Sequence, residues 1–325
     1  MHPYSRYLRI LFIFICLVSF GYHSTAKEYI RVGTASITGS YYPFGNFICK
    51  ILNDYNASVD KDKRIICSVQ TTPGTIYNKH AMLSKNMEFA IIQNDLIYTE
   101  YRNHPDSPLR VVFGLHKEAL NLATRSNTDI NVFDDVFGGK INTGVPGTGT
   151  RYALNNLLRE KGWEKSDFSV YAQLRNAEQT QALCDSKIDL IADFVAIPSA
   201  VLKEALVTCG IRVVKLGDYF VSHVVDKYPY YEKFIIPVGT YDNSEPISTI
   251  SVRAMFVTHK DEDEEMVYQV TKNALENLRI LQSSHGVFKT IKVNDLLDIN
   301  HLPYDIHPGA CRYYKEKGYK VANCD

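Results

Sequence analysis

Residues 141–162, INTGVPGTGTRYALNNLLREKG, decide the fold class. The stretch begins as a predicted strand over 141–145, passes through a loop rich in Gly and Thr, and continues as a predicted helix over 151–161. The helix carries Ala153, Leu154, Leu157 and Leu158 on one face, and Gly162 follows its end, where glycine commonly terminates a helix. A strand, a glycine-rich loop and a helix in succession form the repeating unit of an α/β fold.

The same alternation extends over the chain after residue 26. Apolar runs of strand length are separated by helical patterns, among them 43–53 and 264–282. The alternation predicts an α/β fold with largely parallel sheets, and 325 residues are enough for two domains or one large one. The predicted strands are 29–34, 65–69, 89–93, 111–115, 120–124, 141–145, 168–172, 188–194, 211–216, 234–238 and 250–257.

Four loops that follow predicted strands lead into helices and are rich in Gly, Ser, Thr and amide side chains. In an open parallel sheet the ligand crevice lies at the carboxyl ends of the strands, so these loops are candidates for the binding site. Helix N-termini bind carboxylate or phosphate through free N–H groups, which predicts a small anionic or zwitterionic ligand. Helix capping alone also explains each loop, for example with Ser40 as the N-cap. The loops are 36–43, 72–78, 93–95 and 145–150.

Motifs for nucleotide, metal and hydrolase chemistry are incomplete. Gly144 and Gly149 have the spacing of a P-loop, but Thr150-Arg151 replaces the Lys and Ser/Thr that this loop requires. The sequence contains neither G-x-S-x-G nor H-E-x-x-H. His301 and His307 are either a metal pair or part of a structural loop. The 36 Lys and Arg balance 36 Asp and Glu, which disfavours a general nucleic-acid binder.

The N-terminus has the composition of a secretory signal. Arg6 and Arg9 precede an apolar run over 10–20, and small residues follow at 24–26, which predicts cleavage near Ala26. The alternative is a membrane anchor, although the run is shorter than the ~20 residues of a spanning helix. We therefore expect a periplasmic protein.

Export also changes how the cysteines are interpreted. Setting aside Cys16 leaves six in the mature chain, an even number in a compartment where disulfides persist. Pairing between near neighbours is one of 15 connectivities, and six buried free thiols are the alternative. The neighbour pairs are Cys49 with Cys67, Cys184 with Cys209, and Cys311 with Cys324.

In this order, the loops resemble those of the solute receptors of TRAP transporters, specifically the TAXI class (TRAP-associated extracytoplasmic proteins). The similarity extends over essentially the whole mature chain. Pro73 and Tyr77 depart from the family pattern, which has a Gly and an acidic residue there, and these departures bear on the choice of ligand. The segments that carry the resemblance are 33–34 with 38–45, 72–75 with Asn78, 93–95, 144–150, 227–231, 236–241, and 307–310 with 313–318.

The resemblance implies a two-lobed α/β fold of the periplasmic-binding-protein type (type II-like), with a mainly parallel sheet flanked by helices in each lobe and the ligand between them. Lobe one would comprise residues 27–117 plus 260–325, and lobe two 118–259. Ligand contacts would come from Thr38, Gly39, Ser40, Tyr41, Tyr42, Thr72, Gly74 and Thr75 of lobe one, from Gln93, Asn94 and Asp95 at the floor, and from Gly147, Thr148, Gly149 and Thr150 of lobe two.

Two further candidates rest on side-chain chemistry. Arg151 is either the counter-charge of a ligand carboxylate or an ordinary arginine on a helix surface. Tyr241, like Tyr41 and Tyr42, either packs on the carbon chain of the ligand or belongs to the core.

The function implied by the resemblance is capture of a small carboxylate, either a glutamate-like amino acid or a dicarboxylate. The receptor, a monomer without cofactor or catalytic activity, would deliver this ligand to an integral-membrane TRAP permease driven by an ion gradient. Alternatives are a periplasmic sensor for the same ligands, an enzyme on this scaffold, and a surface interaction protein. None of the six mature cysteines falls in the four loops, which disfavours a cysteine enzyme.

Overall fold

A computed structural model describes residues 28–61, 64–299 and 302–324. The predicted signal peptide and His301 lie outside these residues. No helix within them is both long and apolar enough to cross a lipid bilayer. In chain order the elements are β1 (Glu28–Gly33), α1 (Tyr41–Asn56), β2 (Ile65–Gln70), α2 (Thr75–Leu83), β3 (Phe89–Gln93), α3 (Asn94–Asn103), β4 (Leu109–Arg125), β5 (Gly138–Asn142), α4 (Gly149–Glu160), β6 (Phe168–Ala172), α5 (Asn176–Cys184), β7 (Leu190–Val195), α6 (Ala200–Cys209), β8 (Ile211–Val213), α7 (Asp218–Lys227), β9 (Glu232–Ile236), β10 (Ile247–His259), α8 (Glu264–Glu276), α9 (Leu278–Ser284), α10 (Val293–Leu297) and α11 (Pro308–Lys317).

The described strands form one mixed sheet in the order β2-β1-β3-β10-β4-β7-β5-β6, with β8 beside β4 and β9 beside β10. One parallel block consists of β2, β1 and β3, and the other of β7, β5 and β6. The long strands β4 and β10 lie between the blocks, antiparallel to each other and to their neighbours β7 and β3. We call the β2-β1-β3 side the first half and the β7-β5-β6 side the second half. The predicted α/β fold class is confirmed.

Strand β4 differs from the sequence prediction. Two strands were expected, over 111–115 and 120–124, and the structure has one, because His116 and Glu118 between them are buried inside the sheet. His116 bonds to Ser40, and Glu118 accepts a bond from Tyr41, so the polar run does not have to leave the sheet as a turn. Register shifts between β4 and β10 occur in this region, where such irregularities bend strands. Both long strands thus continue from the first half into the second.

Helix α1 illustrates how apolar spacing sets the packing. Phe44, Phe47, Ile48 and Ile51 recur at helical spacing and are buried. Phe44 meets Phe256 of β10 edge to face, with ring centroids 5.2 Å apart, a favoured aromatic geometry. This contact fixes α1, and with it the loop before α1, on the first half of the sheet. The helix predicted over 264–282 is divided into α8 and α9.

Three disulfides join Cys49 to Cys67, Cys184 to Cys209, and Cys311 to Cys324. The neighbour pairing predicted from the sequence is confirmed.

Candidate ligand-binding site

The two halves of the molecule meet where loops precede α2 and α4. The backbone N–H of Ile76 donates to the carbonyl oxygen of Gly147 across this boundary, at 3.2 Å. The hydroxyls of Thr99 in α3 and Tyr152 in α4 form a second bond, at 2.9 Å. We call this boundary, between residues 72–76 with 93–99 and residues 144–152, the seam. The seam brings together the loops at 72–78, 93–95 and 145–150 that the sequence singled out.

Glycines allow the two backbones to approach at the seam. Gly74 has φ +129° and Gly147 has φ +94°, values that favour glycine. A Cβ on Gly147 would lie 3.2 Å from Cβ of Pro73. A Cβ on Gly149 would overlap the side-chain amide of Gln93. The two halves can therefore come into contact here because Gly147 and Gly149 have no Cβ.

Glu118 is the centre of a buried polar network on the first-half side of the seam. Its Oε2 accepts from the Tyr41 hydroxyl at 3.1 Å and from Nε2 of Gln93 at 2.6 Å. Its Oε1 lies 3.5 Å from His116 Nε2, which is also 2.8 Å from the Ser40 hydroxyl. Burial and the nearby charge of Glu118 raise the pKa of Tyr41 well above its usual value, so this hydroxyl remains a donor.

Asp95 lies in the first turn of α3 and is completely buried. Its Oδ1 accepts from the backbone N–H of Leu96 at 2.8 Å, while Oδ2 has no hydrogen-bond partner among the described residues. Burial, with a smaller contribution from the charge of Glu118, raises the pKa of Asp95 to about 7. The hydroxyl of Tyr231, which is also buried, has no partner within the same residues, and burial followed by the charge of Asp95 raises its pKa.

Asp193 is a third buried carboxylate, located in β7 of the second half. Its oxygens accept from the Thr150 hydroxyl at 2.7 Å, from Asn176 at 2.9 Å and from Gln179 at 3.4 Å. Burial raises the pKa of Asp193 to about 6, and the charge of Glu118 adds to this effect. These bonds connect the N-terminal turns of α4 and α5 to the sheet.

Most of the other predicted site residues have structural partners around the seam. Thr72 bonds to the carbonyl oxygen of Thr34 and to Asn78, and the Thr75 hydroxyl accepts from the N–H of Gln93. Asn94 joins Arg253 of β10 to the carbonyl oxygen of Tyr230. Thr148 caps α4 by accepting from the N–H of Arg151, whose guanidinium donates to the carbonyl oxygen of Gly144.

Four predicted residues lie at the edge of this arrangement or apart from it. Thr38 is exposed and bonds to Ser36, while Gly39 and Tyr42 are partly exposed beside it. Tyr241 is buried in a separate apolar cluster of the second half. Its hydroxyl bonds to Asn121 and to the N–H of Ser199, so the structure gives this tyrosine a packing role.

Sequence reasoning missed His116, Glu118, Asp193 and Tyr231. His116 and Glu118 lie within β4, in the gap between the two shorter strands predicted over 111–115 and 120–124. Asp193 stands inside a predicted strand, 188–194. The charge of Asp193 within an apolar strand was a signal for a site residue, because a buried carboxylate requires hydrogen-bond or charge partners.

A surface groove lies away from the seam, and a smaller cavity borders the seam at Asn94. A surface groove of about 340 Å³ lies between Lys85, Glu88 and Asp261, and a cavity of about 80 Å³ lies beneath Arg253 and Tyr304. Within the described residues, no group of three or more His, Cys, Asp or Glu is placed to hold a metal ion.

Solved structures are similar to this chain at low sequence identity. XAC2383 from Xanthomonas citri bound to ATP is 9% identical with a TM-score of 0.52, over 83% of this chain and 93% of that one. The periplasmic aliphatic sulphonate binding protein SsuA from Escherichia coli is 15% identical with a TM-score of 0.45, over 92% and 91%. At 9% identity the likeness to XAC2383 concerns the fold alone. The NMT1-like family matches residues 32–318, most of the chain, and the protein belongs to that family.

Proposed function

We propose that this protein is an extracytoplasmic solute-binding receptor that closes over a small ligand at the seam and delivers it to a membrane transporter. The observation that supports the proposal most is the contact between the glycine loops of the two halves, with Ile76 N–H bonded to the Gly147 carbonyl oxygen. Each loop leads into a helix N-terminus. An intervening ligand would therefore meet backbone donors from both sides, and its departure would let the halves separate.

The ligand of this proposal carries a carboxylate, as in a glutamate-like amino acid or a dicarboxylate. Helices α2 and α4 both begin at the seam, and the N–H groups and dipoles of their first turns favour an anion. Backbone donors suffice for this purpose, so the bond from Arg151 to Gly144 need not be broken. The transporter would be a TRAP permease, with this receptor in the TAXI class and acting as a monomer in the periplasm.

Closure in this proposal is a hinge motion of two lobes. Lobe one comprises residues 27–117 plus 260–325, lobe two comprises 118–259, and the pivot lies in β4 and β10. Both strands continue from one half to the other, so bending them would move the loops at the seam relative to one another. No step of this cycle makes or breaks a covalent bond.

A thermal-shift screen tests the proposal. Residues 27–325 would be unfolded and refolded to remove bound ligand, and then heated with glutamate, glutamine, aspartate, 2-oxoglutarate, succinate or malate, with neutral sugars as controls. A ligand at ~1,000 times its dissociation constant stabilises the fold by about 4 kcal/mol, which raises Tm by several degrees. We expect such a shift with at least one of the acids and none with the sugars. The absence of a shift across the panel would count against the receptor and favour a sensor, enzyme or surface protein.

A further inference from the structure

The surface groove of about 340 Å³ lies at the opposite end of the first half from the seam. Its lining includes Met87 and Glu88, which precede β3, whereas the seam begins at Gln93, where β3 ends. His259, at the end of the antiparallel strand β10, also lines the groove. The five residues of β3 therefore separate the groove from the seam by roughly 17 Å. An occupant of the groove does not touch a ligand held at the seam.

Carboxylates outnumber basic side chains in the lining of this groove, which we call the acidic groove. Four carboxylates and one lysine line it, although the whole chain has equal numbers of acidic and basic side chains. Lys85 pairs with Asp261 at 2.7 Å, with both side chains more than half exposed, and exposed pairs of this kind contribute little stability. An incoming cation can therefore share Asp261. The four carboxylates belong to Glu88, Asp261, Glu262 and Asp263.

A buried imidazole in the acidic groove has a donor without a partner. His259 is only 6% exposed, and its Nδ1 accepts from the backbone N–H of Asp261 at 3.2 Å. Burial, followed by the charge of Lys85, lowers the pKa of His259, so the ring is neutral and its proton lies on Nε2. Within the described residues this Nε2–H has no hydrogen-bond partner. The donor therefore requires an acceptor from an occupant, such as a peptide carbonyl oxygen.

Apolar side chains complete the lining of the acidic groove. Tyr29 is 62% exposed although it lies in β1, and the thioethers of Met87 and Met266 are buried beside the groove. An arginine side chain combines an apolar stem with a planar cation that stacks on aromatic rings. The combination of carboxylates, a tyrosine ring and thioethers therefore matches an arginine side chain better than a bare inorganic cation.

We propose that the acidic groove is a docking surface for a basic peptide segment of a protein partner, which places an arginine side chain against Tyr29 and the carboxylates and a peptide carbonyl oxygen on His259 Nε2. The charge of the groove selects a cationic partner, and the donor of His259 selects one that has a main chain. The inference goes beyond the proposed function and does not depend on it, since the acidic groove and the seam lie at opposite ends of β3.

Fluorescence anisotropy with a labelled peptide tests the proposal. Residues 27–325 would be titrated into a capped tetra-arginine peptide at ionic strengths of about 0.01 M and about 0.15 M. We expect saturable binding that weakens with salt, because the contacts are partly exposed, and no binding of a tetra-glutamate peptide. Spermidine, a cation without carbonyl groups, should displace the probe only at a concentration at least ~10-fold above that of unlabelled tetra-arginine, since it leaves the His259 donor unpaired.

Double variants of equal charge assign the binding to the groove. Asp261→Asn combined with Asp263→Asn removes two charges from the acidic groove, while asparagine can still cap α8. We expect the peptide affinity to fall at least ~10-fold at low ionic strength, because two charge-assisted contacts are weakened. Asp167→Asn combined with Asp185→Asn is the matched control in the second half, where the two carboxylates make contacts of the same kinds. This control should retain the affinity and the Tm of the natural protein.

The tyrosine contact has its own variant. Tyr29→Ala should weaken peptide binding about threefold, the magnitude of an exposed cation–π contact. Tyr219→Ala is the control, since this tyrosine is 87% exposed and does not line the groove, and it should bind the peptide like the natural protein. Unchanged affinity in Tyr29→Ala would contradict the placement of the arginine.

The remaining outcomes distinguish a docking surface from a general attraction for cations. Failure of tetra-arginine to bind would overturn the proposal, as would binding that survives in the double variant of the groove. Equal losses in both double variants would also overturn it, because net charge alone would then account for the binding. Equal competition by spermidine would identify a site for small polyamines and not for a peptide. None of these results affects the seam, where the screen with acids measures a different site.

Discussion

Asp95 is the residue at which the requirements of folding and of ligand binding conflict. Burying a charged carboxylate costs more free energy than burying an amide or leaving the carboxylate in water. Asp95 is nevertheless fully buried, and one of its oxygens has no partner among the described residues. Its position in the first turn of α3 is favourable for negative charge, but this effect is small beside the desolvation that raises its pKa. Residues held in unfavourable environments are frequently functional.

The ionisation of Asp95 predicts how stability depends on pH. Because its pKa rises from an ordinary value near 4 to about 7 in the folded state, the unfolded chain releases this proton more readily. The contribution of Asp95 to the free energy of unfolding is therefore greatest below pH ~4 and is lost as the pH rises to about 7, by roughly 4 kcal/mol.

Asp95→Asn should remove this loss in the empty receptor. The amide can still accept from Leu96 N–H through its oxygen. We expect denaturant titrations to give similar stabilities for variant and natural protein near pH 4, and a more stable variant at pH 8. Glu100→Gln should show no such gain, because it breaks the pair with Lys79. A variant that is less stable than the natural protein at pH 8 would show that the charge of Asp95 is compensated.

Helix α4 is positioned by its first residue. Gly149 lies against the side chain of Gln93, and α4 can approach β3 only because Gly149 has no Cβ. The same helix is tied to its own half through Thr150 and Asp193. The start of α4 is therefore held to the second half by a hydrogen bond, while its contact with the first half is van der Waals packing between Gly149 and Gln93.

Gly149→Ala should hinder closure without weakening the helix. Alanine favours a helix over glycine, but its methyl group would overlap the Gln93 amide and push the halves apart. We expect the affinity for the ligand found in the thermal-shift screen to fall at least ~10-fold, with little loss of Tm in the empty protein. Gly286→Ala is the control, since this glycine also begins a short helical segment and has nothing within 4 Å of an added Cβ. Unchanged affinity in Gly149→Ala would contradict the role of this contact.

The spacing of apolar residues in the sequence predicted helices and strands well where buried residues recur regularly or form one continuous run. The strand bounds at 89–93 and 168–172 agree with β3 and β6, because each run has turn residues or helix caps at its ends. The sequence predicted two strands in place of β4 because polar residues such as His116 and Glu118 are typical of a turn. Their partners Ser40 and Tyr41, which allow them to be buried, are far away in the sequence. The loops at the seam could be predicted from glycines and helix starts. The buried carboxylates could not, because only the order of the strands brings Glu118 near enough for its charge to act on Asp95 and Asp193.

At the scale of the whole molecule, the covalent cross-links are compatible with motion between the halves. The disulfides Cys49–Cys67 and Cys184–Cys209 each join neighbouring elements of the same half. The connections that pass between the halves are the long strands β4 and β10, together with hydrogen bonds such as Asn94 to Tyr230. An oxidised chain can therefore bend at these strands without breaking a covalent bond.

The most direct test of the account is a distance measurement across the seam. Because the cysteines at 49, 67, 184, 209, 311 and 324 are paired, His80→Cys in α2 and Arg159→Cys in α4, both exposed positions, would provide unique sites for spin labels in residues 27–325. Pulsed electron resonance would give the distance distribution with and without the acid that shifts Tm in the screen. We predict a broad distribution in the empty protein and a narrower, shorter one with the acid bound. Identical distributions in the two states would contradict a receptor that closes on its ligand.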